Sequence, residues 1–419
     1  MAHITIKYVG PLKEVSLDIR RINVFMGPQA TGKSTIAKII SQALWAEKNF
    51  ITMGEEYDFY QGLLDFHNMD KTYFTKLKTE IIYESPWCII SMKYETGKRT
   101  PRTVYKKKKN KDLYRNAKIE YIPAERNFVA SIENIQKYTG TYNNTISFLI
   151  DWYAAKKKYQ RKNNFKVDLP DLSFLYRYKE SEERDIIRVA DNEVALQRGS
   201  SGQQSLLPLL LVAEEVMVSV YHTKRIFSPA EIEHIKKKAP DLDPIVDALS
   251  KMGKKARTKV IEKGLNELWE KIGYQADYGC THLIVEEPEQ NLYPSTQRGL
   301  LKRLVSYLSQ DTKHQHTLII TTHSPYILYA LNNCMLAGLV EEKNSAAIEK
   351  LSDTTRINPA EVGLWLLNRN GEIISLQHSG TGLLTQDFFN IEFQKNHEEM
   401  FQLLKLLPNE NITGKPEGK

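Results

Sequence analysis

The residues Gly27-Pro28-Gln29-Ala30-Thr31-Gly32-Lys33-Ser34 fit the spacing G-x-x-x-x-G-K-[ST] at every fixed position. A stretch of this kind can hold phosphate. Its glycines let the backbone fold tightly, so that successive N–H groups point inward at an anion. A helix beginning there adds the positive end of its dipole. Lys33 would reach the β- and γ-phosphates, the Ser34 hydroxyl would ligate Mg²⁺, and Thr35 would sit beside it under the α-phosphate.

Three further stretches carry candidate chemistry. Glu286-Glu287-Pro288-Glu289 follows the apolar run His282–Val285. Adjacent carboxylates at a strand end repel each other and cost desolvation, so packing alone is a poor reason for them; Mg²⁺ and a water offer one. His323 follows the second apolar run, Thr317–Thr322. A lone histidine there says little, but it falls at the same edge of the presumed sheet as the phosphate loop and the glutamate pair. Ser200-Ser201-Gly202-Gln203-Gln204-Ser205 feeds the apolar run Leu206–Ala213. It reads as a second helix N-terminus able to hold an anion, although alone it is also simply an N-cap.

The elements that must position these residues are visible in the pattern. Ile22–Met26 reads as a buried strand running into the phosphate loop, and Ile36, Ile39, Ile40, Ala43 and Leu44 recur at helical spacing after it. Residues 3–8 and 15–20 alternate around Gly10-Pro11 as a hairpin. Tyr8 within it either stacks on adenine or packs. Residues 55–85 read as mostly helical, and 87–94 with 103–107 as a second hairpin. Lys118–Ile122 is a strand ending in Pro123-Ala124-Glu125-Arg126-Asn127, where Arg126 either faces a phosphate or pairs with Glu125. Val362–Leu367 and Glu372–Leu376 flank Asn370-Gly371, a hairpin signal. Residues 391–407 read as an amphipathic helix and 408–419 as a disordered tail.

Residues 131–184 and 214–279 read as insertions. The first carries helical Ile146, Phe148, Leu149, Trp152 and Tyr153. The second opens its helices with the capping box Ser228-Pro229-Ala230-Glu231 and carries a stripe from Val260 to Ile272. The organisation that follows is 1–130, phosphate-loop part of a head; 131–184, insertion; 185–213, segment carrying Ser200–Gln204; 214–279, basic helical insertion; 280–390, second part of the head; 391–419, terminal helix and tail.

The chain has 419 residues and a net charge of +7, clumped at Lys106–Lys109, Lys156–Lys158 with Arg161 and Lys162, Lys236–Lys238, and Lys254–Lys259. Such runs are often just solvated faces, but together they make nucleic acid a candidate partner. No apolar run is long enough to span a membrane, and no signal-peptide core opens the chain. Cys88, Cys280 and Cys334 show no C-x-x-C spacing and read as buried thiols in a reducing, cytoplasmic setting.

Taken in order, the phosphate loop, Ser-Ser-Gly-Gln-Gln, Glu-Glu-Pro-Glu and Thr-Thr-His-Ser-Pro resemble the ABC-type ATPase heads of the SMC, RecF and OLD group. Glu-Glu-Pro-Glu-Gln-Asn-Leu-Tyr-Pro (286–294) and Thr-Thr-His-Ser-Pro-Tyr-Ile-Leu (321–328) look most like the OLD-like branch, which includes stand-alone ATPases of bacterial anti-phage systems such as Septu and PARIS. The resemblance covers about half the chain and neither insertion. It implies an α/β P-loop NTPase fold, an ABC-ATPase head with an antiparallel β subdomain and helical insertions, acting on ATP with Mg²⁺. Gly27 to Thr35 would bind the nucleotide. Glu286 would take the Walker B position and hold Mg²⁺ through water. Glu287 would polarise the attacking water, and His323 would sense the γ-phosphate. Ser200, Ser201, Gly202, Gln203 and Gln204 would be the signature that meets nucleotide held by the other protomer. The implied active unit is a homodimer closed on ATP, with a higher homo-oligomer compatible with it.

The sequence also departs from that pattern. Glu286 stands where the family has Asp, Gln203 where it has Gly, and Ser200 where it has an apolar residue; no Q-loop is evident. No long coiled coil is evident, and no Toprim nuclease is expected in the stretch after residue 380; Asp241-Leu242-Asp243 falls in the helical insertion, not after an apolar strand. The expected function is an ATPase that senses a cue and controls a separate effector, a nuclease or toxin, in anti-phage defence. The alternative is a RecF- or SMC-like DNA-binding ATPase of repair or recombination.

Overall fold

Alternating burial along β1 (Ala2–Val9) and β2 (Leu12–Ile19) builds a hairpin, and β3 (Ile22–Met26) is buried along its whole length. Helix α1 (Lys33–Met53) follows, then the short α2 (Phe59–Asp65). β4 (Glu80–Glu84), β5 (Cys88–Lys93) and β6 (Arg102–Lys107) join the hairpin in an antiparallel sheet of order β2-β1-β4-β5-β6. The helical expectation for 55–85 therefore fails at its end. Glu80–Glu84 alternates in burial and pairs with both β1 and β5, and its Ile81, Ile82 and Tyr83 are themselves strand formers.

β7 (Ala117–Ile122) leads to α3 (Asn144–Lys156). β8 (Phe165–Leu169), β9 (Leu172–Lys179), β10 (Arg184–Val189) and β11 (Asn192–Ala195) then form an antiparallel meander. Thus β8 and β9, within the 131–184 stretch, belong to one sheet with the strand that leads towards Ser200. Helix α4 (Ser201–Met217) follows and runs on through Pro208. Among the described residues there follow β12 (Cys280–Glu286), α5 (Pro294–Gln310), β13 (Thr317–Thr322), α6 (Pro325–Lys343), β14 (Val362–Leu367), β15 (Ile373–Ser375) and α7 (Phe388–Lys405). The computed structural model describes residues 1–74, 78–94, 97–110, 114–131, 142–160, 163–222, 278–310, 313–344, 346, 355–385 and 388–405. The capping box at Ser228, the 260–272 stripe, the two later basic clumps, Asp241 and Asp243, and the 408–419 tail lie outside them.

The central sheet has the order β15-β14-β3-β13-β12-β7. All its pairings are parallel except that of β15 with β14. A parallel strand with two apolar faces must be covered on both sides. Ile22, Val24 and Met26 face a core filled by α3, α4, α5 and α6; Phe25 faces a second core shared with α1, α2 and the antiparallel sheet. Leu206, Leu207, Leu209 and Leu210 of α4 are wholly buried, each stabilising by about 1.5–3 kcal/mol. This is the α/β arrangement with an antiparallel β subdomain that the sequence predicted. Cys88, Cys280 and Cys334 are buried free thiols. Among the described residues, no helix is long and apolar enough to cross a membrane.

Candidate nucleotide-binding site

Parallel strands deliver their C-terminal ends to one edge, and the register sets which residues meet there. Met26 pairs with Thr322, Glu286 with Thr321, and Val285 with Ile122. The phosphate loop, the glutamate pair, His323 and the 123–126 turn therefore all leave the sheet side by side, where α/β folds bind ligands.

The loop backbone needs its glycines. Gly27 has φ 149° and Gly32 φ 99°. A Cβ on Gly27 would lie 2.4 Å from the Leu367 carbonyl oxygen, and one on Gly32 would lie 2.6 Å from Leu12 Cδ2. The loop is thus seated between the end of β14 and the tip of the β1–β2 hairpin. Pro28, Gln29 and Ala30 are exposed, whereas Thr31, Lys33 and Thr35 are buried and Ser34 is half-buried in the first turn of α1. The Thr31 hydroxyl donates to the Pro28 carbonyl at 2.9 Å. Lys33 Nζ donates to the carbonyls of Gly27 and Pro28 at 2.9 and 2.8 Å, and lies 3.4 Å from His323 Nδ1.

Burial lowers the Lys33 ammonium to about 8, against the opposing pull of Glu287, Glu289 and Glu286. A lysine that holds phosphate must be charged. Its charged form predominates below that value and is lost as pH rises through it. Bound phosphate favours the charged form, so ATP affinity should fall about tenfold between pH 7 and 9. Titration of a fluorescent ATP analogue reads this directly, and Lys33→Arg should flatten the curve. A flat curve in the unsubstituted protein would detach Lys33 from the phosphates.

The carboxylates occupy distinct environments. Glu286 is buried, accepts from Tyr121 Oη at 2.5 Å, and has its other oxygen 3.4 Å from the Ala124 amide nitrogen. Burial and Glu286 push the Tyr121 phenol well above its ordinary value, so it remains a donor. Glu287 turns out of the strand direction with φ 42°, a left-handed conformation costing about 1–3 kcal/mol. Its amide donates to Thr321 O at 2.8 Å, its Oε2 accepts from Gln290 Nε2 at 2.9 Å, and its Oε1 lies 3.4 Å from His323 Nε2. His323 therefore stands between Lys33 and Glu287. Its Nδ1 faces Lys33 and its Nε2 faces Glu287. The His323 amide donates to Glu289 Oε1 at 2.6 Å. Ser324 caps α6, accepting from the Tyr326 amide at 3.1 Å.

Ser200 and Gln203 form a reciprocal capping box at the tip of α4: the Gln203 amide donates to Ser200 Oγ, and the Ser200 amide to Gln203 Oε1. That gives two of the departures from the resembled pattern, Ser200 and Gln203, a common local reason. Gln204 Nε2 donates to the carbonyls of Gln197 and Gly199. Ser201 is exposed at the tip. A Cβ on Gly202 would lie 2.9 Å from the Asn291 carbonyl oxygen, so the tip rests on the loop following the glutamates.

Arg126 takes neither of the two roles open to it from sequence. It is wholly buried, and its guanidinium donates to backbone carbonyls of Ser205, Pro123, Glu286 and Glu287. Burial lowers it to about 10, opposed by Glu289, Glu287 and Glu286, so it stays charged at neutral pH. Tyr8 has φ 53° and falls between the pairs Lys7–Glu14 and Val9–Leu12; its ring centroid lies 6.0 Å from Lys78 Nζ.

Tyr121, Arg126, Glu289 and Gln290 join the site only through the fold. Glu289 and Gln290 stand in the quoted 286–294 stretch and could have been suspected from it. Nothing local marks Tyr121, which meets Glu286 across a separation of 165 residues.

The donors beside the phosphate loop are oxygens, the Ser34 hydroxyl and the Glu286 carboxylate, which suits Mg²⁺. Among the described residues, no group of three or more His, Cys, Asp and Glu is arranged to hold a metal.

No family model and no curated protein matches the chain. Solved structures do. The SMC head domain from Thermotoga maritima is 12% identical over 78% of this chain and 90% of that one, with a TM-score of 0.32. The recombination mediator protein RecF is 11% identical over 89% and 97%, with a TM-score of 0.30. A dimeric ATP-binding cassette bound to ADP and Pi is 12% identical over 90% and 99%, with a TM-score of 0.29. These likenesses are distant, and the reading of the site stands on its own contacts.

Proposed function

We propose that this chain is an ABC-type ATPase that closes as a homodimer on ATP and so controls a separate effector, a nuclease or toxin, in bacterial anti-phage defence. The observation that carries the ATPase reading is the chain of contacts Lys33–His323–Glu287 at the edge where the phosphate loop, β12 and β13 end. On this reading Lys33 exchanges its two loop carbonyls for phosphate oxygens. Ser34 and Glu286 hold Mg²⁺, which neutralises phosphate charge when bound. Glu287 accepts a hydrogen bond from the attacking water, and His323 orients Glu287 and contacts the terminal phosphate.

The dimer follows from the other half of the motif set. Ser201 is exposed at the N-terminus of a 17-residue helix, where a terminal phosphate would be well held. The defence role and the effector are supported by the 286–294 and 321–328 stretches, which resemble the OLD-like branch. The purified protein should hydrolyse ATP with Mg²⁺, and its mass by light scattering should double with a non-hydrolysable ATP analogue. A protein that stays monomeric at saturating analogue would reject the closed dimer. An effector should co-purify with the nucleotide-bound form; its absence from infected and uninfected cells alike would reject that role.

A further inference from the structure

We infer that Arg126 is a positioning residue that ties the tip of α4 to Glu287, so that displacement of the tip is felt at the catalytic carboxylate. This rests on the ATPase reading above. Each guanidinium nitrogen is engaged: Nε with Ser205 O at 3.1 Å, Nη1 with Glu286 O at 2.8 Å and Pro123 O at 3.3 Å, and Nη2 with Glu287 O at 2.9 Å. One planar group therefore spans the ends of β7 and β12 and the start of α4. A lysine ammonium is a point charge and cannot hold that fork.

Two features link the tip to the glutamate loop more than to the body of α4. Pro208 has no N–H, so the Gln204 carbonyl lacks its i+4 partner and residues 201–205 are less tied to the rest of α4. Gly202 brings the tip into direct contact with the carbonyl of Asn291, in the loop that begins at Glu287. Both Glu287 and Asn291 hold left-handed backbone, with φ 42° and 59°, so this loop has few alternative conformations that keep Glu287 in place. A buried cation is a costly way to make a merely structural contact, because apolar packing would avoid its desolvation. Here the cost is offset by the neighbouring carboxylates, and the bonds run to the backbone of the residues expected to do chemistry.

Arg126→Lys keeps the charge and loses the fork. Melting temperature, binding of a fluorescent ATP analogue, KM and kcat would be measured together. Binding and KM should stay within about threefold of the parent while kcat falls at least about tenfold, as expected when a reacting group is misplaced but not removed. An unchanged kcat, or binding lost in proportion to kcat, overturns the proposal. Hydrogen exchange on the unsubstituted protein reads the same link without a variant. Residues 201–207 and 286–291 should gain protection together on binding the analogue, and independent responses overturn the link. If the unsubstituted protein neither binds nor hydrolyses ATP, it is the ATPase reading that has failed.

Discussion

Glu287→Gln should cut ATP turnover by about 10²–10⁴-fold while leaving nucleotide affinity close to that of the parent. The substitution keeps the size and the hydrogen bond from Gln290 Nε2, which reaches the carboxylate at 2.9 Å. It removes the charge that would polarise water and that faces His323 at 3.4 Å. The backbone conformation at residue 287, with φ 42°, is held by bonds from its own amide to Thr321 and from Arg126 to its carbonyl, neither of which involves the side chain. Binding should therefore survive, and the closed dimer should accumulate on ATP. Single-turnover hydrolysis, equilibrium binding and light scattering on the same preparation check the three parts. Undiminished hydrolysis would remove Glu287 from the catalytic role; lost binding would show that it supports the phosphate loop instead.

The second large effect concerns sharing of the site between protomers. Lys33→Met should abolish hydrolysis by removing the buried ammonium from its own phosphate loop. Ser201→Arg should abolish it by blocking an exposed helix tip, with nucleotide binding to the isolated protomer intact. Each variant alone is dead. In a mixed dimer one site combines both lesions, and the other combines an intact Lys33 with an intact Ser201. Random pairing of equal amounts should then restore about a quarter of parental turnover, because half the dimers are mixed and each has one good site. Mixtures as inactive as their components would show that Lys33 and Ser201 do not act on a shared ligand across the dimer.

The phosphate loop was legible because its chemistry is contiguous: strand, turn and helix start lie within residues 22–34, and each residue type answers to a local demand. The glutamates and His323 were legible as candidates because each ends an apolar run. Gln203 was harder. Against the family pattern it is an anomaly, yet in the fold it is the second half of a capping box with Ser200. Arg126 is not legible, since its acceptors are backbone carbonyls, which carry no sequence signal, and Ser205 O lies 79 residues away. β4 differs from the helical expectation because Ile81 and Tyr83 alternate into the core and the strand pairs with β1 and β5, partners distant in sequence from the 55–79 stretch before it.

By itself, then, the sequence determined the kinds of chemistry available and the strand or helix terminus on which each group sits. Only the tertiary structure decided which of those termini are neighbours. Parallel register places Glu286 opposite Thr321 and Met26 opposite Thr322, and that alignment brings Lys33, Glu287 and His323 into one contact chain across 290 residues. The physical reason is that a strand's burial pattern fixes its own faces, whereas its order in a parallel sheet depends on distant partners and on the helices that cover them.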